Sequence, residues 1–77
     1  LLALRVECWP YAGAIGLVER DEDQTQIHVV RNWCYLGSAA TPEEARQLSR
    51  VDGSFDVDGY KILVRPILTQ SVEILPL

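Results

Sequence analysis

The tetrapeptide Thr41-Pro42-Glu43-Glu44 constrains the fold of this chain more than any other local feature, because it combines several signals for the start of a helix. Threonine suits the N-cap, proline suits the first helical position, and a glutamate three residues after the cap can close a capping box. We predict a helix that starts here and stops at Asp52-Gly53. Its apolar residues Ala45, Leu48 and Val51 should face a core.

The residues before this helix carry the alternating apolar pattern of β-strands. Residues 4–9 alternate strictly, residues 10–13 suit a turn, and residues 14–19 continue as a second strand, which together predict a hairpin. The charged residues 20–24 predict an exposed loop that leads into a third strand. We extend that strand over residues 25–35, because β-branched and aromatic side chains suit a pleated surface.

The residues after the first helix fit two patterns. Residues 56–65 match both a helical face and the alternation of a strand, and we predict a helix because Asp56 is a good N-cap. Pro66 should end that helix near Arg65. Residues 71–75 predict a last short strand. The sum is an α+β fold with a three-stranded antiparallel meander, two short helices and a C-terminal strand, in which helix covers one face of the sheet.

The length of the chain limits it to one hydrophobic core, so we predict a single domain spanning residues 1–77. The chain begins at Leu1 and contains no methionine, which favours a fragment of a larger protein. No apolar run approaches the roughly 18 residues of a membrane helix, and the N-terminus lacks the pattern of a signal peptide. We therefore expect a cytoplasmic location and no membrane contact. The sequence says nothing about oligomeric state.

The basic side chains are scattered along the chain, and the formal net charge is −4. A module that bound nucleic acid alone would need a clustered positive face to neutralise phosphates. This charge balance favours contact with a protein over independent DNA binding. Phosphate contacts within a larger assembly remain an alternative, with four candidates for DNA contact: Arg46, Arg50, Lys61 and Arg65.

No group of side chains in the sequence indicates a catalytic or metal site. His28 has no marked nucleophile or orienting partner, and Cys8 and Cys34 suit buried free thiols better than a disulfide. Residues 21–23 suit a solvent-exposed hairpin tip better than a magnesium site, and residues 56–59 suit a helix cap better than a calcium loop. We predict no catalytic residue, no metal and no cofactor in this chain.

Four aromatic residues are the candidates for partner binding: Trp9, Tyr11, Trp33 and Tyr35. Trp9 is predicted on the strand face opposite Val6 and Cys8, where an exposed indole would form an apolar patch suited to a partner. The alternative is that these rings pack beneath a helix, since aromatic side chains dominate small cores. Both interpretations stay open at this point.

Three stretches carry a resemblance to a known family: VECWPYAGA at residues 6–14, IHVVRNWCYLG at residues 27–37 and FDVDGYKIL at residues 55–63. In order and spacing they resemble the C-terminal region of the excinuclease Cho family, which comprises repair endonucleases homologous to UvrC. The likeness extends from about Leu4 to Ile74 and so covers nearly the whole chain.

The resemblance implies a parent that cuts DNA on the 3′ side of a lesion in bacterial nucleotide excision repair. In that family an N-terminal GIY-YIG nuclease domain and a divalent metal perform the cut, and no such motif occurs in these 77 residues. The chain is therefore expected to be a noncatalytic accessory module that engages UvrB and damaged DNA through its parent. Two alternatives stay open: a parent fused to a polymerase III epsilon-like 3′→5′ exonuclease, and hydrolysis by His28 with a carboxylate.

Overall fold

The computed structural model describes residues 6–77, in which a sheet of four antiparallel strands carries one helix on each face. The elements are, in chain order, β1 (Ile15–Arg20), β2 (Thr25–Arg31), β3 (Cys34–Ala39), α1 (Pro42–Leu48), α2 (Val57–Thr69) and β4 (Glu73–Pro76). The strand order is β3-β2-β1-β4, so the first three strands form a meander and β4 adds beside β1. The predicted α+β class, meander and C-terminal strand are confirmed.

The predicted strand at residues 4–9 is wrong where the structure describes it. Leu4 and Arg5 lie outside the described residues, and residues 6–13 contain no strand. The backbone of Glu7 bonds to side chains instead of a neighbouring strand: its N–H donates to the Tyr60 hydroxyl at 2.9 Å, and its carbonyl accepts from the Trp33 indole at 2.8 Å. Because both groups are satisfied without a ladder, the predicted first hairpin does not form.

The predicted third strand, residues 25–35, is in fact two strands joined by a tight turn. Asn32 and Trp33 occupy the turn with φ values of 50° and 66°. Two consecutive residues with positive φ are typical of the type I′ turns that close two-residue hairpins. Asparagine tolerates this conformation, whereas a bulky side chain rarely adopts it. The burial of the Trp33 indole in the core explains why the turn forms at this position.

The start of α1 follows the prediction. The Thr41 hydroxyl accepts from the Glu44 N–H at 3.3 Å, and the Glu44 carboxylate accepts from the Ala40 N–H at 3.3 Å, which is a capping box displaced by one residue. The helix ends at Leu48, about one turn before the predicted stop. The Arg31 guanidinium, on β2, donates to the carbonyls of Ser49 and Val51. These hydrogen bonds replace the ones that a longer helix would have provided to the two carbonyls.

The start of α2 also follows the prediction, because the Asp56 carboxylate accepts from the Gly59 N–H at 2.9 Å. Its predicted end is wrong, since the helix passes through Pro66 and continues to Thr69. A proline removes the hydrogen bond to the carbonyl four residues earlier, here that of Ile62. Ile62 lies on the exposed side of α2, where solvent can bond to that carbonyl. The C-cap is Gln70, which adopts the left-handed conformation with a φ of 53°.

Helix packs on both faces of the sheet, whereas the sequence predicted helix on one face. The surface beneath α2, here called the α2 face, is built from large side chains: Ile15, Leu17, Val30, Trp33, Tyr60 and Ile67. The opposite surface beneath α1, the α1 face, is built from smaller ones: Ile27, Val29, Ala39 and Ala45. Successive residues of β2 point to opposite faces, and Val29 and Val30 are both fully buried. Among residues 6–77, no helix is long and apolar enough to cross a membrane.

Candidate functional interface

A groove of about 620 Å³ opens on the α2 face, between one flank of α2 and the sheet. We call it the α2 groove. Its apolar lining includes Leu17, Ile62, Leu63, Pro66 and Val72, and its polar lining comprises Glu19, His28, Tyr35 and Asp56. A concave, mostly apolar surface with a few polar groups is typical of binding sites. The α2 groove is therefore the main candidate site among the described residues.

The two flanks of α2 have different surroundings. Tyr60, at the centre of its buried side, contacts the rings of Trp33 and Phe55, and Trp9 and Tyr11 extend the aromatic packing. These rings fill the space on one side of the helix. On the other side, Ile62 is 74% exposed. The groove exists because residues 6–13 cover one flank of α2 and the described residues leave the other flank open.

His28 is the centre of a polar cluster at the rim of the groove. Its Nδ1 lies 3.2 Å from the Tyr35 hydroxyl, and its Nε2 lies 4.0 Å from a carboxylate oxygen of Glu19. Glu19 is on β1, His28 on β2 and Tyr35 on β3, so three adjacent strands bring the cluster together. A carboxylate, an imidazole and a phenol can each exchange hydrogen bonds with a bound polar group.

Glu19 and Asp56 are the two carboxylates that line the groove. Asp56 lines the groove, but its carboxylate caps α2 through the Gly59 N–H. Across residues 6–77, no three His, Cys, Asp or Glu side chains converge in a way that could hold a metal ion. The arrangement is suited to contact with a ligand through apolar surface and hydrogen bonds.

The four aromatic candidates do not form one patch. Trp33 is only 4% exposed, and Trp9 contacts it edge to face with ring centroids 5.0 Å apart. Tyr11 contacts Trp9 at 5.5 Å, while the Trp9 indole donates to the Gly13 carbonyl at 2.9 Å. Tyr35 lies apart from these three, is 50% exposed and lines the α2 groove. The structure thus places Trp33 in the core and leaves Tyr35 as the most accessible of the four.

The four basic candidates all lie on exposed helix or helix-end positions. Lys61 and Arg65 are four residues apart on α2 and so lie on one side of that helix, whereas Arg46 is on α1 and Arg50 lies two residues beyond its end. None of the four lines the α2 groove. Within residues 6–77, none forms an ion pair with an acidic side chain.

One exposed ion pair joins β1 to the edge strand β4. The Arg20 guanidinium donates to both carboxylate oxygens of Glu73, at 3.1 and 2.9 Å. These hydrogen bonds lower the pKa of Glu73 below its ordinary value, and they raise the pKa of Arg20. Arg20 and Glu19 are consecutive residues of β1 and point to opposite faces of the sheet, so the ion pair lies away from the α2 groove, which Glu19 lines.

The remaining sequence candidates have structural roles. Cys8 and Cys34 are free, as predicted, but Cys8 is exposed and Cys34 is half-buried, so the prediction that both are buried is wrong. The Cys34 thiol donates to the Asn32 carbonyl at 3.6 Å across the β2–β3 turn. Residues 21–23 form the exposed hairpin tip that was predicted, closed by backbone bonds between Asp21 and Gln24.

The sequence reasoning missed the apolar residues of the groove, which are Ile62, Pro66 and Val72. A usable signal was present, because Ile62 does not belong to the helical stripe formed by Tyr60 and Ile67. An isoleucine outside the buried stripe of an amphipathic helix indicates a second apolar surface. That signal was obscured because Ile62 also fits the alternation of a strand.

Comparison with known proteins places the chain in a family. The family model described as the excinuclease Cho C-terminal domain matches residues 14–77. The chain is 48% identical to the protein named excinuclease cho from Escherichia coli strain K12 over 71 residues, which is 92% of this chain and 24% of that protein. It is 46% identical to excinuclease cho from Salmonella typhi over 74 residues, which is 96% of this chain and 25% of that protein.

The chain thus spans about a quarter of the length of these relatives. No solved structure matches it. The family match includes every strand and helix of the fold, from β1 to β4. The family model and the relatives both agree with the resemblance seen in the sequence, and the chain belongs to the family of excinuclease Cho C-terminal domains.

Proposed function

We propose that this domain is a noncatalytic interaction module of a bacterial DNA repair endonuclease that makes the 3′ incision in nucleotide excision repair. The observation that carries the proposal is the 46–48% identity to excinuclease cho over almost the whole chain, confined to about a quarter of each relative. In this proposal the cut is made by a GIY-YIG nuclease domain of the parent, which holds the divalent metal. The module acts in the cytoplasm and helps the parent engage UvrB on damaged DNA.

The surface of the domain supports a role in protein contact. The described residues bury their aromatic and aliphatic side chains on both sheet faces, yet Ile62, Tyr35 and Val72 stay exposed around one groove. A cluster of exposed apolar residues marks an interaction site more often than scattered ones do. The same role would apply in a parent that also carries a polymerase III epsilon-like exonuclease.

The test compares the full-length endonuclease with a version that lacks this domain. We expect the shortened protein to retain metal-dependent cleavage of bare DNA but to lose most of the incision that depends on UvrB. Gel analysis of a labelled duplex with one lesion measures both activities. Loss of both would make the domain part of the catalytic centre, and unchanged UvrB-dependent incision would remove its accessory role.

Direct contact with DNA is a second candidate, because the four basic candidates are exposed and form no ion pair within residues 6–77. In the parent, replacing Arg46, Arg50, Lys61 and Arg65 by alanine should flatten the dependence of DNA affinity on salt. Each lost phosphate contact changes the slope of log K against log salt by about 0.9. Replacement of the paired Arg20 by glutamine is the matched control. An unchanged slope in the fourfold variant would exclude these residues as phosphate contacts.

A further inference from the structure

The α2 groove presents an apolar floor that nothing in residues 6–77 covers. Ile62 projects from α2 with 74% of its surface exposed, and Val72 is 38% exposed on the opposite side of the groove. Leu17 and Leu63 form the inner surface between them. Exposing an isoleucine costs the free energy that burial of its side chain would provide. An occupant that covered Ile62 would recover part of that free energy.

The size of the groove favours a short segment over the surface of a whole domain. Its lining consists of 11 residues. A standard interface between two folded proteins uses about 20–30 residues from each side. A segment that places a few apolar side chains in a groove needs far less, as in the recognition of amphipathic helices.

The sheet edges offer a weaker site for such a segment. The edge strand β4 has four residues and ends at Pro76, and the other edge strand, β3, contains a bulge next to Gly37, whose φ is 129°. Short, irregular edges disfavour the addition of another strand. Recognition by side chains in the groove is therefore favoured over recognition by backbone pairing.

The charged residues around the groove indicate which charge a bound segment should carry. Two carboxylates, those of Glu19 and Asp56, line it, and no lysine or arginine among residues 6–77 does. The Asp56 carboxylate is engaged by the helix cap, whereas the Glu19 side chain is 70% exposed, with only the long 4.0 Å contact to His28 Nε2, and can reach a ligand. The polar rim also offers His28 and Tyr35 as hydrogen-bonding groups. This rim is complementary to a basic side chain and repels an acidic one.

From this geometry we propose that the α2 groove binds a short amphipathic segment of a partner protein, with apolar side chains on Ile62, Leu63 and Val72 and a lysine or arginine beside Glu19. The inference rests on the proposed function as an interaction module and names the chemistry of its partner. The segment lies along α2, in the space opposite to the one that Trp9 and Trp33 occupy.

The test selects binders to this protein from a displayed library of random peptides about 12 residues long, a length that spans about 18 Å as a helix. We expect the enriched peptides to combine apolar residues at i, i+3 or i+4 spacing with lysine or arginine. One enriched peptide, labelled with fluorescein, is then titrated with protein variants by fluorescence anisotropy.

Replacement of Ile62 by glutamate should weaken the Kd of that peptide by about tenfold or more, because it removes an apolar anchor from the centre of the groove. The matched control is Leu68→Glu, an exposed apolar residue of the same helix that does not line the groove. Tyr35→Ser is a second groove variant that should also weaken binding of the peptide, and it tests the groove independently if Ile62→Glu does not fold. Circular dichroism checks that each variant is folded.

The charge is tested by Glu19→Gln, which should weaken binding by about two- to threefold at low salt, since exposed charge pairs contribute little. Glu22→Gln, at the exposed hairpin tip, is its control. The inference fails if the enriched peptides are acidic, if no peptide is enriched, or if Ile62→Glu binds as well as Leu68→Glu. It also fails if a second copy of the chain or duplex DNA displaces the peptide. These outcomes leave the proposed function untouched, because that is decided by the incision assay on the full-length endonuclease.

Discussion

Each face of the sheet packs against one helix, and the two faces do so with side chains of different size. On the α1 face, Ala39 and Ala45 are buried without bulk, and α1 lies close to β2 and β3. On the α2 face, Trp33 and Tyr60 form a layer of rings that contact one another edge to face at 5.1 Å. The small residues let α1 pack closely on β2 and β3, whereas the large rings support α2 along one flank.

This difference explains where the groove lies. The rings fill the side of α2 that residues 6–13 cross, and the other side has no filling residue among those the structure describes. On the α1 face, the helix packs on β2 and β3 through small residues, while the α2 face is a core on one side of its helix and an open groove on the other. We expect mutations to affect stability strongly on both faces, and ligand binding only at the groove.

The largest effect should follow from removing the central ring of the α2 face. Trp33→Ala should lower the free energy of unfolding by about 3–5 kcal/mol, because it leaves a cavity and removes the hydrogen bond to the Glu7 carbonyl. Urea denaturation followed by circular dichroism measures the change. Tyr35→Ala, at a half-exposed ring on the same face, is the control and should change stability by about 0.5 kcal/mol or less. Equal losses would show that the ring layer is not the core of this face.

The next effect tests how tightly the α1 face is packed. Gly16→Ala should lower the free energy of unfolding by about 1–3 kcal/mol, because the added methyl group would overlap the Ile27 side chain. Gly13→Ala is the matched control, since a methyl group there meets no atom within 4 Å. Thermal denaturation of both variants measures the difference. If Gly16→Ala is as stable as Gly13→Ala, the α1 face is packed less tightly around Ile27 than we propose.

A smaller effect tests the attachment of residues 6–13 to α2. Tyr60→Phe keeps the ring layer but removes the acceptor of the Glu7 N–H, so it should lower the free energy of unfolding by about 0.5–1.5 kcal/mol. Amide hydrogen exchange should show faster exchange at Glu7, with β2 almost unchanged. Tyr11→Phe is the control, because the Tyr11 hydroxyl forms no hydrogen bond within residues 6–77. Unchanged exchange at Glu7 would contradict this attachment.

The smallest effect lies outside both faces, at the Arg20–Glu73 pair. The folded-state pKa of Glu73 is below its ordinary value of 4.5, so the pair contributes stability above that pH, and the contribution is lost as the pH falls through the folded pKa. The melting temperature of Glu73→Gln should therefore be slightly lower than that of the natural chain near neutral pH, and the difference should vanish in acid. Glu22→Gln should show no such dependence, and a difference that grows in acid would contradict the pairing.

Local signals in the sequence predicted the parts of this fold that depend on neighbours in the chain. The helix starts at Thr41 and Asp56 are correct because a cap is formed by side chains and N–H groups three residues apart. The acidic hairpin tip at residues 21–23 is correct for the same reason. The α+β class follows from these elements together with the apolar alternation of the strands.

The candidate site was predicted only in part. Tyr35 was proposed from the sequence and lies in the groove, whereas Trp33 is in the core and Trp9 packs against it. The groove itself requires Leu17 from β1, Ile62 from α2 and Val72 from the segment before β4. No local pattern joins residues this far apart, so their meeting could not be predicted from spacing.

The sequence by itself determined where helices begin, where charge must face solvent, and to which family the chain belongs. Tertiary structure decided the features whose free energy comes from distant partners. Trp33 adopts a left-handed turn because its ring is buried against Tyr60, and the helix passes Pro66 because the lost hydrogen bond falls on its exposed flank. These outcomes are set by packing between distant segments, and that is also why the α2 groove emerged only from the fold.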